Sequence, residues 1–150
     1  MGYNNKKLPK SSKAMTAENI SQNIALTITF NDPELTAAER NEQAVWLLEE
    51  LQNNRDIEKV ERVRDPNPPQ GNKSAGGFLI GVLTAEISGM CFQKVCQSLH
   101  SRLTKKVLSI KVEVDGVKME VEASNPQDLR ACLQEAEAFI ERHKRNIIRN

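Results

Sequence analysis

Aromatic residues are scarce in this 150-residue sequence: four Phe, one Trp and one Tyr, about 4% of the chain. Base-stacking platforms and aromatic sugar clefts need rings placed side by side, and so thin a supply argues against both. Histidine is scarcer still, with His100 and His143 alone. The three cysteines, Cys91, Cys96 and Cys132, are too few and odd in number for a secreted disulfide framework. Met1 to Asn23 is polar and lacks the apolar core of a signal peptide, so a reducing cytoplasm is the expected compartment. Net charge is also missing: 21 Lys and Arg stand against 20 Asp and Glu, a formal +1. A dedicated nucleic-acid binder carries a strong basic excess, so no nucleic-acid partner is expected. The chain has room for one ordinary domain, and at 39% hydrophobic it is too apolar to be wholly disordered.

The near-zero charge hides segregation. Residues 1–23 hold Lys6, Lys7, Lys10 and Lys13 against Glu18, a charge of +3. Residues 141–150 hold Arg142, Lys144, Arg145 and Arg149 against Glu141, again +3, which leaves −5 for 24–140. Inside that acidic middle lies a basic stretch with Lys94, Arg102, Lys105, Lys106 and Lys111 and no acid. Its plain reading is a solvated surface. Its sharper reading is a basic patch that meets an acidic partner or a membrane surface.

Residues 1–23 read as a disordered basic arm. Order begins at Ile24, where Leu26, Ile28 and Phe30 alternate with Ala25, Thr27 and Thr29, as in a strand with one buried face. Thr36 and Glu39 form a capping-box pattern that starts a helix running to about Asn53, its apolar side Ala37, Ala38, Ala44, Val45, Leu48 and Leu51. Ile57–Arg64 is a short strand, although Ile57, Val60 and Val63 recur every three residues. Asp65–Gly76, with its prolines and glycines, is a loop. Gly76–Leu103 reads as one long helix. Leu108–Val114 and Val117–Val121 alternate around Asp115-Gly116, a favoured two-residue turn, which pairs Val114 with Val117, Val112 with Met119 and Ile110 with Val121. Asn125 and Pro126 open a last helix whose stripe is Leu129, Cys132, Ala136, Phe139 and His143. The expected domain, 24–142, is an α+β two-layer sandwich of order β-α-β-α-β-β-α. It has about four strands, helices mainly on one face, and 143–150 as a basic helical tail. Strands joined by a helix are expected to run parallel with a right-handed crossover.

No catalytic set assembles from the sequence, and no catalytic residue, cofactor or metal is expected. His100 lies one helical turn after Cys96, but two ligands do not close a zinc site and no CxxC pair completes one. Cys91 and Cys96 as core thiols and His100 as an ordinary surface or partly buried polar group are the simpler account. Gly71-Asn72-Lys73-Ser74 lacks the glycine directly before lysine that a phosphate loop requires.

One pattern is ordered. Gly77, Gly81, Ala85 and Gly89 recur every four residues, with Phe78, Leu83 and Glu86 among their neighbours. On a helix this is a row of small residues that admits a second backbone closely. The row either seats the helix on the domain's own sheet or forms an interaction helix for another subunit or a membrane. Ala75–Phe92 is 18 residues with Glu86 its one charge, short and interrupted for a spanning helix.

These elements in this order resemble the effector-associated constant component family of bacterial conflict systems. The residues that carry the likeness begin with the Leu26-Thr27-Ile28 strand and the helix with Trp46-Leu47-Leu48. Pro68-Pro69 then precede Lys73 and Gly76-Gly77. The basic Leu99–Lys106 stretch, the Val112-Glu113-Val114-Asp115-Gly116 hairpin and the Asn125-Pro126–Leu133 helix complete it, over about Ile24 to Arg142. The resemblance implies a non-enzymatic accessory or adaptor component, encoded beside an effector and its regulator and coupling them by protein contacts. The small-residue row is the expected contact, with a second copy or with an effector. The alternatives are a membrane-associated component that uses the same helix, at the membrane periphery, and a small enzyme with an unseen site.

Overall fold

The computed structural model describes residues 23–67, 77–125 and 128–149, the last six by backbone alone. The basic arm up to Gln22, the Gly71–Ser74 stretch and Pro126 lie outside the described residues. Five strands and three helices follow in the order β1 (Asn23–Phe30), α1 (Ala37–Gln52), β2 (Ile57–Arg64), β3 (Phe78–Ser88), α2 (Phe92–Leu103), β4 (Leu108–Val114), β5 (Val117–Ala123) and α3 (Leu129–Arg149). The sheet order is β2-β3-β1-β4-β5, and every hydrogen-bonded pair is antiparallel.

β1 is the spine. Ile24, Leu26, Ile28 and Phe30 are almost wholly buried, and Ala25, Thr27 and Thr29 face the other way. Each of the four contributes on the order of 1.5–3 kcal/mol by leaving water. They join one continuous core with Leu47 and Leu51 of α1, Val95 and Leu99 of α2, and Leu129 and Ala136 of α3. All three helices therefore cover one face of the sheet, as expected of a two-layer α+β fold. Thr36 caps α1 in both directions: its Oγ1 accepts from Glu39 N, and Glu39 Oε1 accepts from Thr36 N. The buried stripe of α1 is Ala44, Leu47 and Leu51, while Ala37 and Ala38 are exposed and Leu48 is half-buried at the rim. Asp115 and Gly116 take φ of 53° and 80°, the turn their residue types suit, and β4 and β5 adopt the expected register.

The largest departure from expectation is Gly76–Leu103, which is not one helix but β3 and α2. Gly77 and Gly81 have φ of 80° and 74°, which a right-handed helix cannot use. Ile80, Val82, Thr84 and Ile87 are β-branched and suit a pleated strand. A period near 3.6 begins only at Phe92, with Val95, Cys96, Leu99 and Leu103 buried. The true order is β-α-β-β-α-β-β-α with five strands rather than about four. β1 and β2 do run in the same direction, but β3 lies between them. Likewise β3 and β4 run alike with β1 between them. The described last helix runs from Leu129, and ahead of it Asp128 N bonds Asn125 O at 3.0 Å. Its backbone is helical to Arg149, as expected of the tail.

Candidate docking cleft at the outer strand

The expected interaction helix does not exist, and its residues scatter. Leu83 and Ala85 lie in the core, Glu86 is exposed on the uncovered sheet face, and Gly89 belongs to the tight turn into α2. Gly81 does admit a close neighbour, but that neighbour is internal: a Cβ there would stand 2.9 Å from Phe30 O and 3.5 Å from Arg40 O of α1. Phe78 borders the cleft described below, and Gly89 lines a recess beside Met90. Among the described residues no helix is long and apolar enough to cross a membrane, so the segment offered for membrane contact is a half-buried strand.

The basic patch is largely used within the chain. Lys94 Nζ stands 3.9 Å from Asp56 Oδ1, Arg102 bonds Glu50 at 2.6 Å, and Lys106 Nζ sits 5.4 Å above the Trp46 ring. These contacts tie α2 and the turn after it to α1 and the loop that follows it. Lys105 is exposed and makes no ion pair among the described residues.

Of the two thiols expected in the core, Cys96 is buried, whereas Cys91 is half-buried against it; Cys132 is buried as well. Burial pushes the Cys96 thiol far up, reinforced by Glu137, to which it is hydrogen-bonded. Burial raises Cys132 to about 11, helped by Glu135 and Asp128. Thiols held protonated are poor nucleophiles and poor metal ligands. Cys96, His100, Arg130 and Glu137 line a recess of about 250 Å³ between α2 and α3, which shares Gln134 and Glu137 with a second of about 350 Å³ near Met90. Burial also raises the Glu137 carboxyl, against the pull of its bond from Cys96. Among the described residues no group of three His, Cys, Asp or Glu is placed to hold a metal ion. His143 is not free on its helix: Nε2 lies 3.3 Å from Asp115 Oδ2, and the ring stacks on Phe139.

The uncovered sheet face satisfies itself. Register puts Lys59, Glu86, Ala25, Glu113 and Lys118 in one row, and Glu61, Thr84, Thr27, Lys111 and Glu120 in the next. Opposite charges therefore neighbour one another across strands, which suits a solvated face.

The outer strand β2 is different. It is paired only on its β3 side, so its other edge carries backbone N–H and C=O groups without strand partners among the described residues. A cleft of about 620 Å³ follows that edge. Leu48 and Gln52 wall it from α1, and Val60, Arg62 and Arg64 from β2, with Phe78 at one end. Local sequence explains the shape. Between the pairs Arg62–Leu83 and Arg64–Phe78, β2 advances two residues and β3 five. Gly81 supplies the positive φ that this bulge needs. The bulge is pinned by Asn41 of α1, whose Oδ1 accepts from Arg62 Nη2 at 2.6 Å and from Gly81 N at 3.3 Å. Phe78 is thereby held between two guanidinium groups, with Arg62 Cζ and Arg64 Cζ each 5.0 Å from its ring centre. Below it, Asp65 N bonds Gly77 O at 2.7 Å and closes the β2–β3 end. Burial lowers the Arg62 pKa, and its Nε is buried without a partner.

Sequence reasoning named Phe78 for another reason and missed Arg62, Arg64, Asn41 and Leu48 as a set. The available signal was Arg62 and Arg64 two apart on a strand, hence on one face of it. Comparison with family models, with curated proteins and with solved structures finds no match.

Proposed function

We propose that this protein is a non-enzymatic accessory component that binds a partner protein in the cleft between α1 and β2. In the setting its sequence resembles, that partner is an effector or the regulator of an effector in a bacterial conflict or signalling system. The observation that carries the reading is the combination of an open strand edge with a preformed cleft beside it. Strand edges are normally blocked, and one left beside an apolar wall is a template for another chain. The raised thiols of Cys96 and Cys132, poor nucleophiles both, favour binding over thiol chemistry.

The test is co-purification of the full chain with the products of the genes beside it, wild type against Leu48→Glu. Leu48 is half-buried at the cleft wall, and a carboxylate there opposes docking of apolar side chains. Capture by wild type and loss with Leu48→Glu is the expected result. Equal capture by both moves the binding site elsewhere, and no capture by wild type ends the accessory reading.

A further inference from the structure

We infer that the cleft takes an extended acidic segment of its partner, which adds to β2 as a sixth strand and lays a carboxylate against Arg62 and Arg64. This rests on the binding role proposed above and names the chemistry of the ligand. Three features converge on it. The free edge of β2 offers backbone groups in the spacing of a strand, which an extended chain matches and a helix cannot. Leu48 and Val60 give that chain an apolar wall for alternate side chains.

Charge decides the rest. Glu61 also lines the cleft, and it is paired at 3.7 Å with Lys59; nearby, Asp65 Oδ1 accepts from Asn67 N. Neither Arg62 nor Arg64 has an ion-pair partner among the described residues, so the cleft keeps two positive charges. Both lie against one aromatic ring. Arg64, exposed and stacked on the ring, keeps its planar N–H edge for a bidentate acceptor, while Arg62, whose Nη2 already bonds Asn41 Oδ1, adds positive charge behind it. A carboxylate matches that edge in charge and geometry.

The experiment uses fluorescence anisotropy with the full chain and three labelled peptides. One is extended and alternates Val or Thr with Glu, the second carries Lys in place of Glu, and the third is the Glu peptide N-methylated at alternate backbone positions. The Glu peptide is expected to bind at least about tenfold more tightly than either other, the factor for a lost charge-assisted or backbone contact. Arg64→Glu is expected to reverse the preference between the Glu and Lys peptides. Arg64 is exposed and its one described contact is Phe78, so the fold should survive, as a matched circular-dichroism melt checks. Equal binding of Glu and Lys peptides overturns the inference, as does indifference to N-methylation. If Arg64→Glu leaves co-purification with the adjacent gene products intact while Leu48→Glu abolishes it, the accessory role stands and the acidic strand falls.

Discussion

Gly81 and Gly116 share a positive φ, yet their surroundings differ. A Cβ at Gly81 meets Phe30 O at 2.9 Å, and one at Gly116 meets nothing within 4 Å. Gly116→Ala should therefore cost only the left-handed backbone penalty, about 1 kcal/mol. Gly81→Ala adds a backbone clash and should cost at least about 2 kcal/mol, visible in urea denaturation. Reactivity separates the thiols in the same way. Iodoacetamide at mildly alkaline pH should label the half-buried Cys91 first, and Cys96 and Cys132 only on unfolding. Glu137 gives a pH signature. Its folded pKa is raised by burial, so the folded protein keeps a proton that the unfolded chain has already lost. Stability should thus fall as pH rises through the window from the ordinary carboxylate value to the raised one. Glu137→Gln should remove that fall, and melting curves across the acidic range would show it.

Among the elements, β2 shows why spacing misleads. Ile57 and Val60 are three apart, which puts residues on opposite faces of a regular strand. A register shift between Ile57 and Lys59 restores them to one face, opposite Ile87 and Ala85. β3 shows the reverse ambiguity: a repeat of four lies near one helical turn and also equals two strand periods, so Gly81 and Ala85 fit either. What distinguishes them is the positive φ at Gly77 and Gly81, which glycine permits but does not require, together with the β-branched residues of the segment. By contrast β1, the β4–β5 hairpin and the start of α1 were legible, because alternation, an Asp-Gly turn and a capping box each act locally. The stripe of α1 was legible except in phase, where Leu47 rather than Val45 faces inward. The braces of α2 were not, since the acids Asp56 and Glu50 reach it from another part of the chain. The Arg102–Glu50 pair is about a third exposed on both sides, so Arg102→Ala should cost less than about 1 kcal/mol in thermal melts.

At the scale of the molecule, one core holds all three helices on the sheet. Leu26→Ala removes volume from its central strand, at a cost of about 2–5 kcal/mol. Trp46 fluorescence and far-ultraviolet circular dichroism should then report the same shifted transition, as one cooperative unit requires. Two transitions would divide the core. The neighbours of each strand could not be read from sequence, because a connection states where a strand begins and not what lies beside it. The candidate cleft inherits that limit. It exists because β2 is outermost, a fact of sheet order, and because Asn41 and Gly81 meet across layers.

The central place of β1 also matters while the chain is being made. It is the first of the described strands to leave the ribosome, but it is hydrogen-bonded on both sides only once β3 and β4 have followed. At about 5–20 residues per second, the 84 positions from Phe30 to Val114 take on the order of 4–17 seconds to synthesise. For that interval an apolar ribbon with two bare edges awaits its neighbours, and nascent-chain chaperones would find it there.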